Sequence, residues 1–373
     1  MADLDKRVKE IYADLHAIPE VGLQEVKTSK YLAEALTKAG YEVQTGLGGT
    51  GVTGLLKSGK PGPTVGLRAD MDALAHEVDG KACAIHSCGH DAHCSMVLTV
   101  AEEIMRRGIS QGNVKIIFQP AEEVLVGALK MVEAGAIDDV DILLGLHLRP
   151  QQEARGGQAT PALYHGASYV VDAQIQGLTA HGARPHLGVN AIDAAAAVIQ
   201  AVNAIRINPV VPSSAKTTQI QAGGPASNAI PSNAKLTFDL RAQENPIMDE
   251  LIAKVKNAVE YGSQTVGATG FTTVRGGCPA AEYDKEMVTL VKEAIVAVLG
   301  EENLLPEVVT PGGEDFHYYV KKKPSLKTAY FGLGVDLLPG LHSPEMNFNQ
   351  DFLINGVNIL LYAVEKLVGK SSK

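Results

Sequence analysis

The chain has 373 residues, of which 45% are hydrophobic and 20% are charged, and its formal net charge at pH 7 is −9. The length allows about two domains, and the acidic balance argues against a surface for nucleic acid or anionic membranes. No apolar run approaches the ~20 residues of a membrane span, and the charged N-terminal segment lacks the apolar stretch of a secretory signal. Four cysteines are too few for a disulfide framework in a chain of this size. The composition therefore predicts a cytoplasmic globular protein.

The first 150 residues are predicted to alternate between helices and strands. The N-terminal helix is indicated by apolar residues that recur every three or four positions, namely Val8, Ile11, Leu15 and Ile18. A second helix is predicted over 28–39, ending at Gly40. Strand candidates are YEVQT, GVTGLLK, TVGLRAD, NVKIIFQ and DILLGLHL, and further helices are predicted at 95–107 and 127–134. This alternation predicts a largely parallel or mixed sheet covered by helices.

The glycines of GLGGTG match a dinucleotide-binding fingerprint, but the surrounding sequence does not. Gly46, Gly48 and Gly51 follow a predicted strand, and a dinucleotide site needs a helix next, whose N-terminus faces the pyrophosphate. The segment that follows, VTGLLKSGKPGP, has the pattern of a strand and a turn. We therefore predict a tight hairpin here.

The pattern changes near Tyr164, where a second kind of domain is predicted. SYVVDAQIQGLTAH, KTTQIQAGG and KLTFDLRAQ read as strands, and helices are predicted in NAIDAAAAVIQAVNAI and at 247–261. A βαββαβ order is typical of a small α+β sandwich. From about Cys278 the earlier pattern returns. We therefore predict an α/β protein whose larger, discontinuous domain comprises 1–165 and 277–373, with a smaller α+β domain, 166–276, inserted into it.

Metal-capable side chains lie where several predicted strands end. Cys88 and His90 belong to SCGHDAH, which is predicted to be a loop because Gly89 lets the chain turn sharply before a helix begins. Two adjacent carboxylates follow another strand and could divide labour, one binding metal and one accepting a proton. These carboxylates and the remaining candidates are Glu122, Glu123, His147, His342, Asp70 and Asp72.

Each candidate also has an ordinary structural explanation. Cys88 could be a buried core residue and Asp91 a helix cap, while the Glu122–Glu123 pair could be solvated in a first helical turn, where the helix dipole favours acids. His147 could be a satisfied core histidine and His342 part of a surface turn. Asp70 and Asp72 could cap the next element.

The joint placement of these groups favours a metal site over separate structural roles. Open α/β sheets bind ligands outside the carboxyl ends of their strands. A donor set of nitrogen, oxygen and one sulfur suits Zn²⁺ or a similar divalent ion. Five donors without a complete tetrahedral set for each ion indicate two metals that share a ligand, with water completing the site.

Seven motifs then occur in an order that resembles a known family: DMDAL, HSCGHDAH, FQPAEE, GLHLRP, AHGARPH, GGEDF and LHSPE. They are similar to those of the amidohydrolase branch of the aminoacylase/carboxypeptidase family of dinuclear metallopeptidases. That branch includes auxin-conjugate hydrolases, hippurate hydrolases and N-acetyl-diaminopimelate deacetylases. The resemblance spans nearly the whole chain, from LHAIPEVGLQE around His16 to the loop at His342. It implies a metal-binding α/β domain interrupted by a smaller lid domain that usually forms a dimer.

The resemblance implies a role for each candidate in the larger domain. Cys88 would bridge or share the metals, and Glu122 would be the general base that activates water and then passes the proton to the leaving amine. Asp72 would lie behind the ligands and orient one of them. The other ligands would be Glu123, His90, His147 and His342. The implied cofactors are two divalent ions per subunit, zinc first, with manganese, cobalt or nickel as alternatives.

The same resemblance implies three functional residues in the smaller domain. His181 would reach the site of a neighbouring subunit and stabilise the tetrahedral oxyanion. Asn228 and Arg241 would hold the substrate carboxylate, for which the Arg fork offers two donors. Considered without the family, they could equally be a strand-end histidine, a turn former and a surface strand residue. A homodimer through this lid domain is implied.

We expect a metal-dependent amidohydrolase that releases a carboxylate and a free amino acid from an N-acyl amino acid or a related conjugate. Two departures from the family, Ala75 for a frequent Pro and Asn190 for a frequent Asp, affect no implied ligand. One alternative is a dipeptidase or carboxypeptidase that acts on small peptides. Another is a catalytically silent small-molecule-binding protein, which the retention of Glu122 disfavours. The identity of the acyl group and the roles of His86, His93 and His186 stay unassigned.

Overall fold

The computed structural model describes residues 2–371, which fall into two compact units. Unit 1 consists of the chain up to Tyr164, of Glu282–Val309 and of the chain from Asp315 onward, and unit 2 of His165–Ala281 with Thr310–Glu314. Residues 165, 277–281 and 310–314, which the predicted boundaries place in the larger domain, thus belong to unit 2. The predicted larger domain also includes Met1, Ser372 and Lys373, which lie outside the described residues.

Helices and strands alternate along the first part of unit 1. In chain order they are α1 (Ala2–His16), α2 (Val26–Ala39), β1 (Glu42–Leu47), β2 (Gly51–Lys57), β3 (Thr64–Asp70), β4 (Leu74–Val78), β5 (Lys81–Ile85), α3 (His90–Arg107), β6 (Asn113–Gln119), α4 (Gly127–Glu133), β7 (Ile142–Pro150), β8 (Ala159–Thr160) and β9 (Leu163–His165). The predicted strands and helices of this part are confirmed, with boundaries that differ by a few residues. GLGGTG forms the turn of the β1–β2 hairpin, as predicted.

Unit 2 follows the predicted α+β pattern. Its elements are β10 (Ala167–Gln176), β11 (Ala180–His181), α5 (Ala191–Asn203), β12 (Ser213–Ala222), β13 (Ala229–Ile230), β14 (Asn233–Ala242), α6 (Asn245–Gln264) and β15 (Thr269–Cys278). The long strands form an antiparallel sheet in the order β12-β14-β10-β15. Along β14 every second side chain is buried, from Ala234 to Ala242, because one face of the sheet packs in the core with α5 and α6.

The chain then returns to unit 1. Its last elements are α7 (Lys285–Leu299), β16 (Val308–Thr310), α8 (His317–Lys322), β17 (Lys327–Leu337) and α9 (Leu353–Val368). None of the helices within residues 2–371 combines the length and the apolar character needed to cross a bilayer.

A seven-stranded mixed sheet forms the centre of unit 1, in the order β1-β2-β6-β3-β7-β17-β8. The four strands from β6 to β17 run parallel, whereas the β1–β2 hairpin and β8 pair antiparallel to their neighbours. All seven residues of β3 are buried, as is typical of a parallel strand covered on both faces. Because these parallel strands end at the same edge, the residues that follow them are brought together.

Two local expectations from the sequence are corrected. SCGHDAH is not a loop that precedes a helix, since α3 begins at His90 rather than at Ser95. Gly89 makes the turn directly before it in a left-handed conformation (φ +85°), and a Cβ there would lie 2.9 Å from Leu148 Cδ1. His147 does not end a strand, because β7 continues for three residues to Pro150.

Candidate metal centre

The register of three neighbouring strands determines where along the sheet the candidate residues lie. Asp70, the last residue of β3, is the register partner of Gln119, the last residue of β6. On the other side of β3, Arg68 is the partner of Gly145 in β7, so that His147 lies level with Asp70 two residues later. The start of α3 adds Cys88 and His90 to this edge. The sheet register therefore gathers side chains that are far apart in sequence, such as Asp70 and His147.

Six residues predicted from the sequence converge into overlapping groups of metal-capable atoms. Within each group the ligand atoms all lie within 4.8 Å of one another. The three groups are Cys88 with His90 and His147, Cys88 with Glu123 and His342, and His90 with Glu122 and Glu123. Cys88 Sγ belongs to two of them, as a ligand shared between two ions would, and His90 and Glu123 each belong to two as well.

Asp72 lies behind this cluster and contacts two of its members. Its Oδ1 accepts a hydrogen bond from His90 Nδ1 (3.1 Å), and its Oδ2 accepts one from the backbone N–H of Glu123 (3.0 Å). In the neutral form of the ring that metal binding requires, the first bond keeps the proton of His90 on Nδ1, so that the lone pair of Nε2 faces the cluster. The buried Asp72 carboxylate thus orients both the imidazole of His90 and the backbone of Glu123.

The His147 imidazole is fixed in the same manner by the backbone. Its Nδ1 donates to the carbonyl oxygen of Leu148 (2.7 Å), and its Nε2 lies 3.4 Å from Cys88 Sγ. Burial lowers the pKa of His147 well below the ordinary histidine value. The ring is therefore neutral and presents the lone pair that metal binding requires.

The other side of the cluster is formed by two loops. Glu122 and Glu123 lie in a turn between β6 and α4 and are mostly buried, which excludes a solvated pair in a first helical turn. Glu122 Oε1 accepts a long hydrogen bond from the backbone N–H of Asp315 (3.4 Å). His342 donates its backbone N–H to Ser87 (2.6 Å), and its Nε2 lies 3.5 Å from Glu123 Oε2.

The chemistry of the cluster fits divalent cations. Two of its buried atoms, His90 Nε2 and Glu123 Oε1, lie 3.7 Å apart and have no hydrogen-bond partner among the described residues. Burial raises the pKa of the Cys88 thiol and of the Glu123 carboxyl group, which disfavours their anionic forms. A bound cation would reverse this effect and satisfy the two unpartnered atoms. Nitrogen, oxygen and one sulfur donor suit zinc or a similar ion.

A buried network that sequence analysis did not find supports the site from beneath. His93 donates from Nδ1 to Asp70 (2.6 Å) and accepts the backbone N–H of Leu148 at Nε2 (3.0 Å), so both ring nitrogens are used structurally. Asp70 also pairs with the fully buried Arg68 (2.6 Å), which contacts Asp315 at 3.2 Å. The strand alternation of LRAD would have predicted the burial of Arg68 and Asp70 on one face, but not their partners.

Two metal-capable residues close to Cys88 in sequence, Cys83 and His86, take no part in the cluster. Cys83 is exposed on β5. His86 is buried and lies next to His16, with ring centroids 6.4 Å apart, and neither of its nitrogens has a hydrogen-bond partner within residues 2–371.

The three residues predicted in the smaller domain are all in unit 2. His181 is exposed and pairs with Ala229 in the short β11–β13 ladder, and its Nδ1 accepts the backbone N–H of Ala183 (3.0 Å), which leaves Nε2 as the donor. Asn228 is next to this ladder, and its backbone carbonyl oxygen accepts the N–H of Gly182 (2.7 Å). Arg241 is farther along β14, where it forms two hydrogen bonds with Asp239 (2.8 and 2.9 Å).

Comparisons with known proteins find a matching family and several similar chains. Residues 66–366 match the model of peptidase family M20/M25/M40. The chain is 30% identical to IAA-amino acid hydrolase ILR1-like 2 of Arabidopsis thaliana, over 96% of this chain and 85% of that protein. It is also 30% identical to the hippurate hydrolase of Campylobacter jejuni, over 94% of each. The YXEP protein of Bacillus subtilis, a dinuclear metal binding peptidase from the M20 family, has a similar structure (TM-score 0.81, 25% identity, all of both chains covered).

Proposed function

Because this chain belongs to peptidase family M20/M25/M40, we propose that it hydrolyses the amide bond of N-acyl amino acids or related amino-acid conjugates. The products are a carboxylate and a free amino acid. The names of the two curated relatives support this substrate class, since both proteins are hydrolases of such conjugates. The observation that carries the proposal is the buried cluster around Cys88, with its unpartnered His90 Nε2 and Glu123 Oε1.

The cofactors of this proposal are two divalent ions per subunit, with zinc as the first candidate. His90 and His147 with Cys88 would hold one ion, and Glu123 and His342 with Cys88 would hold the other. Bound ions would act as Lewis acids that polarise the amide carbonyl group and lower the pKa of water.

The protein groups then supply positioning and proton transfer. Glu122 is adjacent to the ligand Glu123, and its side chain lies among the same donor atoms, so that it can accept a proton from the attacking water and pass it to the leaving amine. Asp72 keeps His90 and Glu123 oriented. In unit 2 we assign oxyanion stabilisation to His181, whose Nε2 is a donor. Asn228 and Arg241 are assigned to the substrate carboxylate, which would compete with Asp239 for the guanidinium group of Arg241.

We also propose a cytoplasmic homodimer that assembles through unit 2. Its outer strand β12 is ten residues long, and most of its side chains are exposed, so its outer edge carries backbone donors and acceptors for a second chain. The cytoplasmic location is supported by the four cysteines, Cys83, Cys88, Cys94 and Cys278, all of which have free thiols.

The proposal is tested with purified, metal-loaded protein and a panel of substrates. The panel contains N-acetyl, N-benzoyl, N-aminobenzoyl and indoleacetyl amino acids together with dipeptides. Wild type is compared with Glu122→Ala and with Glu34→Ala, whose side chain is exposed on α2. We expect turnover of one acyl class by wild type and Glu34→Ala, and its loss in Glu122→Ala with the metal content unchanged.

Other outcomes would redirect the assignment. Preferred cleavage of dipeptides would make the protein a peptidase, and equal residual turnover in Glu122→Ala would exclude this residue as the base. Metal binding without turnover of any panel member would contradict the proposed function.

A further inference from the structure

The turn that carries Glu122 and Glu123 has an unusual backbone at its start. Ala121 adopts a left-handed conformation (φ +55°), which is uncommon for a residue with a side chain. Three backbone bonds close the turn. Ala121 O accepts the N–H groups of Val126 (3.4 Å) and Gly127 (3.1 Å), and Glu122 O accepts the N–H of Leu125 (2.7 Å). Such a conformation persists only where the surrounding structure imposes it.

Two buried carboxylates hold this turn, one at each side of Glu122. Asp72 accepts the backbone N–H of Glu123, as described above. On the other side, Glu25 Oε1 accepts the backbone N–H of Ala121 (2.9 Å). We infer that Glu25 is a positioning residue of the reaction, which fixes the Ala121 end of the turn and thereby the place of the Glu122 carboxylate.

The position of Glu25 in its own helix supports this inference. Glu25 precedes the first residue of α2, where a carboxylate commonly caps the free N–H groups, yet it makes no such bond. Glu20 does so instead, since its carboxylate accepts the N–H groups of Lys27 (2.8 Å) and Thr28 (3.0 Å). Glu25 is therefore not needed as a cap, and its carboxylate points to the turn.

The surroundings of Glu25 show that this contact is built into the fold. The residue has no exposed surface, and Glu25 Oε2 accepts the hydroxyl of Thr50 (2.6 Å). Burying a carboxylate that is bound only to neutral donors lowers the stability of the fold. An apolar side chain of the same size would fill this space without that loss. Gly22 packs against the same turn, because a Cβ there would lie 3.1 Å from Ala121 Cα and 3.3 Å from Asp72 Oδ2.

This inference rests on the proposed function for its catalytic consequence. Loss of the Glu25 contact frees the Ala121 end of the turn, while Asp72 still holds Glu123 in place. We therefore expect Glu25→Ala to lower kcat about 10- to 100-fold, since small misplacements of a catalytic group have effects of that order. The bound metal content and KM stay at the wild-type values.

The kinetic experiment compares three variants of the metal-loaded protein. Glu25→Gln keeps an oxygen that can accept the N–H of Ala121, so it restores most of the kcat that Glu25→Ala loses. Glu20→Ala is the matched control, because it removes a carboxylate of the same segment that contacts α2 and not the turn. It lowers the melting temperature without lowering kcat. Equal kcat values for Glu25→Ala and wild type would overturn the inference.

Hydrogen exchange gives a second measurement that needs no turnover. In Glu25→Ala the amide of Ala121 exchanges faster than in wild type, whereas in Glu20→Ala only the amides of residues 27 and 28 do so. An unchanged exchange rate at Ala121 would show that Glu25 does not hold the turn. If wild type hydrolyses no substrate, the proposed function fails by itself, and the exchange rates alone decide whether Glu25 fixes this turn.

Discussion

The imidazole of His90 is anchored to Asp72 by a bond of 3.1 Å between Nδ1 and Oδ1, and its other nitrogen faces the cluster of metal-capable side chains. The pair is fully enclosed, since neither side chain is exposed by more than 1%. His90 would therefore bind the metal ion, whereas Asp72 fixes the direction in which His90 Nε2 points.

Asp72→Ala is therefore expected to weaken metal binding while all six cluster residues are still present. Loss of such an orienting carboxylate costs about 10- to 100-fold in metal affinity. The measurement is a competition titration of the metal-free protein against a chromophoric chelator. Asp3→Asn, which changes an exposed carboxylate of α1, is the control and keeps the wild-type affinity. An unchanged metal affinity in Asp72→Ala would show that His90 and Glu123 keep their orientation without Asp72.

Arg68→Met is expected to destabilise unit 1 strongly. The guanidinium group is fully buried and pairs with Asp70 (2.6 Å) and Asp315 (3.2 Å), so its removal leaves two buried carboxylates without their cation. Breaking a buried pair in this way costs about 3–5 kcal/mol in the free energy of unfolding. Urea denaturation measures the change.

The control for Arg68→Met is Arg275→Met. Arg275 forms an equally short pair with Asp172 (2.7 Å), but that pair is exposed on unit 2. Exposed pairs contribute little, so the free energy of unfolding stays close to that of wild type. Equal losses in the two variants would show that burial does not decide the contribution of Arg68.

Only Cys83 among the four cysteines is expected to react quickly with a thiol reagent in the folded protein. Its side chain is exposed, whereas Cys88, Cys94 and Cys278 are buried, and burial raises the pKa of Cys88 and Cys94. Because the thiolate is the reactive form, both effects slow the buried thiols. Titration with Ellman's reagent should give one fast thiol per chain, none in Cys83→Ser and four after denaturation.

His16→Gln is expected to cost more stability at acidic than at alkaline pH. The hydrogen bond between His16 Nδ1 and Asp91 Oδ2 (2.7 Å) raises the pKa of His16, while burial lowers that of the neighbouring His86. A raised histidine pKa stabilises the fold fully below the unfolded value, about 6.5, and the contribution is lost as the pH rises through the folded pKa.

The measurement for His16→Gln is the difference in melting temperature from wild type at about pH 5.5 and pH 9. Half of the His16 side chain is exposed, so solvent screening keeps the difference modest. His186→Gln, on an exposed segment of unit 2, is the control and keeps the wild-type melting temperature at both pH values. If His16→Gln lowers the melting temperature more at the alkaline than at the acidic pH, the stabilising role of protonated His16 is contradicted.

The elements and the clustered donors could be predicted because they depend on local patterns. Buried parallel strands read as apolar runs, and the polar groups after them must meet at one edge, which places Cys88, His90 and the Glu122–Glu123 pair together. The sequence predicts the start of α3 five residues too late, because Gly89 by itself indicates only a turn. Its left-handed conformation directly precedes His90, which makes His90 the first helical residue.

The supporting contacts could not be predicted, because they depend on register and packing. The His93–Asp70 bond needs α3 to lie across the end of β3, and the Glu25–Ala121 bond joins residues that are 96 positions apart. Nothing in the composition of either segment indicates such a partner. The grouping of Thr310–Glu314 with unit 2 likewise depends on contacts in space rather than on a change of pattern along the chain.

The sheet of unit 2 ends on both sides in strands of ten residues, β12 and β15. The seven-stranded sheet of unit 1, by contrast, ends on one side in the two-residue β8. Long open edges are templates for the addition of a strand from another chain. Charged side chains oppose such pairing, and β12 has a single one, Lys216. Aggregation during refolding at high protein concentration should therefore start from unit 2, in chains whose β12 edge has not yet paired in the proposed homodimer.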